Sequence, residues 1–103
     1  MLQKVKYEIM ILLNEEFNDS ELKTWAFKYA KELQNLGGSD ISVISRGKRN
    51  LAYLINDQSK GNFIEITFSM LPNGLKNFNK ILKMDENVLR SLILKNQINS
   101  ITA

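Results

Sequence analysis

From residue 63 to residue 70 the sequence alternates without a break. Ile64, Ile66, Phe68 and Met70 fall on one side of an extended chain, and Phe63, Glu65, Thr67 and Ser69 fall on the other. Successive side chains of a strand point to opposite faces, so this period of two predicts a strand with one face in a core. Residues 5–13 repeat the pattern, with Ile9, Ile11 and Leu13 against Glu8, Met10 and Leu12. Two such strands cannot stay half-dry alone. A second layer must cover their apolar sides, and that requirement limits the architectures open to the chain.

The covering layer is legible as two helices. Leu22, Trp25, Ala26, Tyr29, Leu33 and Leu36 recur at helical spacing and form one apolar stripe. Asn18 or Asp19 can cap this helix, and Glu21 stands three residues after Asn18, as in a capping box. Gly37-Gly38 ends it, because glycine accepts the left-handed conformation common at helix C-termini. A second helix follows Pro72, buries Leu75, Phe78, Ile81 and Leu82, and ends at Asp85-Glu86-Asn87. Between the helices, residues 41–44 and 51–55 read as two pieces of one strand, with a bulge or bend at Gly47. Residues 56–61 (NDQSKG) read as a turn, residues 88–95 as a fourth strand and residues 96–103 as a polar, flexible tail. The order is strand, helix, two strands, helix, strand. Right-handed crossovers then predict an α+β ferredoxin-like βαββαβ sandwich. Its four-stranded antiparallel sheet runs fourth, first, third, second, with both helices on one face. Residues 1–95 are expected to be the single domain.

Composition narrows function by exclusion. The 103 residues contain no cysteine and no histidine. Disulfides, thiolate or imidazole metal sites, cysteine nucleophiles and histidine bases are therefore out of reach. No motif for a cofactor or small-molecule substrate appears: Gly37-Gly38 lacks the pattern of a phosphate loop, and Glu15-Glu16 has no partner base. No apolar run approaches the roughly 20 residues of a membrane span, and the start, Met1-Leu2-Gln3-Lys4, does not read as a signal peptide. The net charge of +3 and pI of about 9.2 suit a polyanionic partner without requiring one.

Two surfaces stand out. The sheet face away from the helices should be polar if it meets only water, yet it is expected to carry Met10, Leu12 and Phe63, with more apolar residues from the fourth strand. An apolar patch rimmed by charge predicts a protein partner. Arg46, Lys48 and Arg49 crowd around Gly47, and Lys4, Lys6, Lys60, Arg90 and Lys95 would extend the positive area if the strand ends meet. Charge pattern alone is satisfied equally by nucleic-acid binding and by protection of a strand edge from pairing. Lys23, Lys28 and Lys31 on the first helix, and Lys76, Lys80 and Lys83 on the second, read as solvated faces.

Three motifs then carry a family resemblance: Lys6-Tyr7-Glu8 with the alternation after it, Gly47-Lys48-Arg49-Asn50-Leu51-Ala52-Tyr53-Leu54-Ile55, and Asp85-Glu86-Asn87-Val88-Leu89-Arg90-Ser91-Leu92-Ile93-Leu94-Lys95. In order and spacing, across about residues 5–95, the chain resembles the bacterial and plastid small-subunit ribosomal protein number six family. The resemblance implies a structural ribonucleoprotein component in translation, not an enzyme. It implies binding to small-subunit, 16S-type rRNA together with ribosomal protein number eighteen, among other small-subunit proteins. Lys48, Arg49 and Arg90 match its basic positions; Arg46 joins them as an expected phosphate contact, with Lys6 and Lys95 behind. Leu54 stands where the family often has proline, Asn50 where it often has a basic residue, and Ser91 where it usually has an apolar one. The lysine- and asparagine-rich composition tilts the expected location to the chloroplast rather than a bacterial cytoplasm. The rival readings are an interaction module without an RNA role, an RNA-recognition domain and an acylphosphatase-like enzyme. The second lacks paired aromatics on its first and third strands. The third lacks an arginine near the end of its first strand, since none precedes Arg46.

Overall fold

The computed structural model describes residues 3–95. The element order is β1 (Val5–Asn14), α1 (Asp19–Asn35), β2 (Ser39–Ile55), β3 (Gln58–Met70), α2 (Pro72–Lys83) and β4 (Val88–Lys95). The sheet runs β2-β3-β1-β4, the expected order read from its other edge, and every neighbouring pair is antiparallel. The expected polar tail, residues 96–103, lies outside the described residues.

The alternation decides the layers. Tyr7, Ile9, Ile11 and Leu13 from β1 and Ile64, Ile66, Phe68 and Met70 from β3 are buried against Leu22, Trp25, Tyr29 and Leu33 of α1 and Phe78 and Leu82 of α2. Phe78 sits at the centre, its ring edge-on to both Phe68 and Tyr29 at about 6 Å. The α1 termini are built as the sequence suggests. The Asn18 side chain accepts from the Glu21 backbone N–H at 2.8 Å, and the Glu21 carboxylate accepts from the Asn18 N–H at 3.0 Å. At the other end Gly37 has φ +94°, and the Gly37 and Gly38 N–H groups donate to the Gln34 and Leu33 carbonyls. That Schellman closure satisfies carbonyls the helix leaves open. Gly74, early in α2, lets the two helices meet: a Cβ there would come within 2.9 Å of the Leu36 carbonyl oxygen.

The region between the helices differs from expectation. Residues 39–55 form one long strand rather than two pieces, with register breaks at Ser39/Ser42, Ser45/Gly47 and Asn50/Ile55. The turn after it is only Asn56-Asp57, both at positive φ, because β3 already starts at Gln58. Asparagine and aspartate tolerate that conformation better than other non-glycine residues, which suits a two-residue hairpin. Asn50 pairs with Lys60 and Ile55 with Gln58, so residues 51–54 stand opposite Ser59 alone. The surplus chain bows out of the sheet.

Asp85 fixes the start of β4. One carboxylate oxygen accepts from the Tyr29 hydroxyl at 2.6 Å and the Trp25 indole N–H at 3.0 Å; the other accepts from the Asn87 N–H at 2.9 Å. Its backbone carbonyl accepts from the Val88 N–H. Burial alone would raise the Asp85 pKa. The hydrogen bonds from Tyr29, Asn87 and Trp25, with the nearby Lys28 charge, outweigh it and hold the carboxyl below its ordinary value. Tyr29 moves the other way: burial first, then its bond to the Asp85 carboxylate, pushes its hydroxyl well above the usual tyrosine range. This pin ties α1 to the α2–β4 turn and so sets the register in which β4 carries Arg90.

Candidate functional site

The sheet face away from the helices is the candidate site. Register places Glu8, Met10 and Leu12 of β1 beside Thr67, Glu65 and Phe63 of β3, and beside Leu94, Leu92 and Arg90 of β4. Val88 and Ile93 pack on the core, while Leu92 and Leu94 are exposed on the open side. Ile44 of β2, opposite Glu65, adds a further exposed apolar residue.

This face is not flat. The bowed segment 51–55 walls a groove of about 550 Å³ lined by Met10, Leu12, Leu51, Ala52, Tyr53, Ile55, Phe63, Arg90, Ser91 and Leu92. Tyr53 and Leu54 are each 63% exposed and Leu92 is 58% exposed. Leu12 differs from expectation. It lies on the open face but is only 5% exposed, close over Gly61, where a β-carbon would collide with its side chain. Leu12 therefore forms the floor of the groove, and the wall residues Tyr53 and Leu92 offer most of the contact area. Sequence patterning could not point to Tyr53 as a wall residue, because the bow depends on pairing lost at Ser59.

The structure divides the expected cations into two groups. Arg46, Lys48 and Arg49 lie at the Gly47 bulge, where Gly47 pairs with Phe63, Lys48 with Asn62 and Arg49 with Gly61. Arg90 pairs with Leu12 and lines the groove at this same end of the sheet. Lys6 pairs with Ser69, and Lys95 stands opposite Tyr7 in the β1–β4 register. That is the far end of β1, about 20 Å from Leu12 at roughly 3.3 Å per residue. The six cations are not one patch. Arg46 is partly spoken for: its Nη2 and Nε both donate to Glu65 Oε2, at 2.7 and 3.2 Å. Arg49 Nε donates to the Arg46 carbonyl at 3.3 Å. Among the described residues no cluster of acidic side chains could hold a metal ion, and no helix is long and apolar enough to cross a membrane.

The family model described as Ribosomal protein S6 matches residues 6–95. The chain belongs to the ribosomal protein S6 family. It is 70% identical over 89 residues to small ribosomal subunit protein bS6c of Trieres chinensis, spanning 86% of this chain and 93% of the relative. It is 62% identical over 93 residues to bS6c of Phaeodactylum tricornutum, spanning 90% and 95%. The crystal structure of 30S ribosomal protein S6 from Thermotoga maritima shares the fold, with a TM-score of 0.87 and 18% identity over 97% of this chain and 94% of that one. This S6-family chain is a structural component of the small ribosomal subunit rather than an enzyme. Its high identity to the plastid-type bS6c proteins assigns it to the ribosome of the chloroplast.

Proposed function

We propose that this chain binds small-subunit, 16S-type rRNA jointly with ribosomal protein number eighteen, and that the open sheet face is where it does so. The partner protein covers the apolar groove, making contact with Met10, Phe63, Tyr53 and Leu92 and reaching Leu12 at its floor. Lys48, Arg49 and Arg90 contact phosphates, with Arg46 contributing less because Glu65 neutralises it. Lys6 and Lys95, at the other end of the sheet, form a separate and secondary contact.

The observation that carries this reading is the combination at one sheet end of a wide apolar groove that Arg90 lines and an adjoining hollow that Arg49 lines; Lys48, paired with Asn62, stands at the same end on the other side of the sheet. A groove that faced only water would hold exposed Tyr53 and Leu92 at a solvation cost with no return. Duplex RNA hides its base edges in a deep, narrow groove, so a rim of cations reads backbone and shape.

Sedimentation of the tagged full-length chain through a density gradient tests the proposal. Small-subunit rRNA and ribosomal protein number eighteen should travel with it. A chain that carries the partner protein after the RNA has been digested, and never bound that RNA, would be an interaction module without an RNA role. A chain that stays at the top of the gradient even at low ionic strength overturns the proposal entirely.

A further inference from the structure

Met10 and Phe63 are the divide between two hollows. On one side lies the apolar groove; on the other is a smaller one of about 350 Å³ lined only by Met10, Arg46, Arg49 and Phe63. Its origin is the bulge. Ser45 pairs with Ile64 and Gly47 with Phe63, so Arg46 is the surplus residue. Gly47, at φ +85°, has no side chain to lay across Phe63, and the space above it is open. A left-handed glycine at a bulge is the usual way to turn a strand locally without a clash. Here the bulge leaves a hollow that the Phe63 and Met10 side chains line together with both arginines.

The two guanidinia are held differently. Arg46 is locked across the strands by the double contact to Glu65. Arg49 is tethered through Nε alone, so its terminal nitrogens have no protein partner among the described residues. The charge of the site is therefore two cations against one carboxylate, which leaves one positive charge, and that charge is on Arg49. An apolar and aromatic floor, a planar wall and one free cation match a flat ring joined to a single phosphate. At about 350 Å³ the hollow lies at the small end of ligand sites, which run from roughly 300 to 1,000 Å³.

We propose that this hollow takes one unpaired nucleobase of the RNA, packed on Phe63 and Met10 beside the Arg46 guanidinium, with the adjoining phosphate on Arg49. The proposal rests on the RNA-binding reading and deepens it. Arg46 is then a positioning and stacking group rather than a phosphate ligand, and Glu65 holds it flat. Aromatic and guanidinium faces accept any base, so the hollow selects an unstacked nucleotide rather than a particular sequence.

The test uses small ribosomal subunits carrying the full chain. Ultraviolet crosslinking followed by mass spectrometry of the peptides should find a nucleotide joined at Phe63 or Met10. Phe63→Leu should abolish that crosslink and weaken RNA binding roughly 5- to 150-fold, the range for losing one base–aromatic stack, while Phe63→Tyr should keep both. Unchanged circular dichroism of the free variants will show that folding is intact. Nucleotides crosslinked at Lys48 or Arg49 but never at Phe63 or Met10 would overturn the base pocket and leave the RNA reading standing. An absence of any RNA crosslink to the chain would overturn both readings.

Discussion

Asp85→Ala should be among the most damaging single changes outside the apolar core. It strips a common acceptor from the Tyr29 hydroxyl and the Trp25 indole N–H and removes the side-chain bond to the Asn87 N–H. Tyr29 is 2% exposed and Trp25 6%, so neither donor is free to turn to bulk solvent. A buried donor left without a partner costs about 1–3 kcal/mol. Water can enter the space of the half-buried Asp85 and recover part of that, giving an expected loss of about 2–4 kcal/mol. At roughly 4–8 °C per kcal/mol for a domain near this size, Tm should fall by at least about 8 °C. Urea unfolding followed by Trp25 fluorescence measures the loss. The same experiment against pH tests the cause. The native Asp85 carboxyl lies below its ordinary value of 3.8. The unfolded state therefore binds a proton first, and the stabilisation is present above about pH 4 and lost as pH falls through the native value. Tyr29 is raised above 10.0, so its contribution is complete below about pH 10 and is lost as pH rises beyond it. Asp85→Asn should cost less than Asp85→Ala and should flatten the acid limb. An Asp85→Ala variant within about 0.5 kcal/mol of the parent, the range of a neutral surface change, with an unchanged acid limb, would refute the pin.

Three further outcomes are expected. Lys48→Ala with Arg49→Ala should lower the slope of log K for RNA against log salt by about 1.4–1.8, at roughly 0.7–0.9 per phosphate contact; an unchanged slope across a salt titration removes both residues from the interface. Gly74→Ala should destabilise by about 1–3 kcal/mol, because the new methyl meets the Leu36 carbonyl and Met70 sulfur, each 2.9 Å from its position, and a thermal melt indistinguishable from the parent's would show that the helices can spread. Asn18→Ala should cost about 1 kcal/mol through loss of the capping box, read by urea titration, with Asn18→Asp close to neutral; equal losses in both would assign the effect to something other than the cap.

Period-two patterning made β1 and β3 legible because each has one wholly apolar set, and the apolar stripe of α1 between a capping asparagine and two glycines left little freedom. The sheet order followed from these elements only together with the remaining strands, the second helix and right-handed crossovers. β2 was harder, since its middle is exposed on both faces and its polar residues carry no period. The bow of residues 51–54 arises from a pairing mismatch with β3, which is a property of two strands and not of either sequence. The short turn shows the same limit: NDQSKG has turn-forming residues throughout, and only pairing of Ile55 with Gln58 decides that Asn56 and Asp57 alone make it. The roles of Asp85 and Glu65 also stayed hidden. Their partners lie 56–60 and 19 residues away, and a single carboxylate in a helix-ending DEN or an alternating strand gives no sign of what it will meet. The cations were found by type, but whether they converge is a matter of register, and register separated Lys6 and Lys95 from the rest.

In the assembled particle the open sheet face should be covered. Hydroxyl-radical footprinting of the chain, free and within small subunits, measures this directly. Tyr53 and Leu92, which are 63% and 58% exposed, should lose most of their labelling on assembly, whereas Phe27 and Met84, exposed at 69% and 83% on the helical side, should keep theirs. Equal labelling of Tyr53 and Leu92 in the free chain and in the particle, or protection confined to Phe27 and Met84, would contradict it.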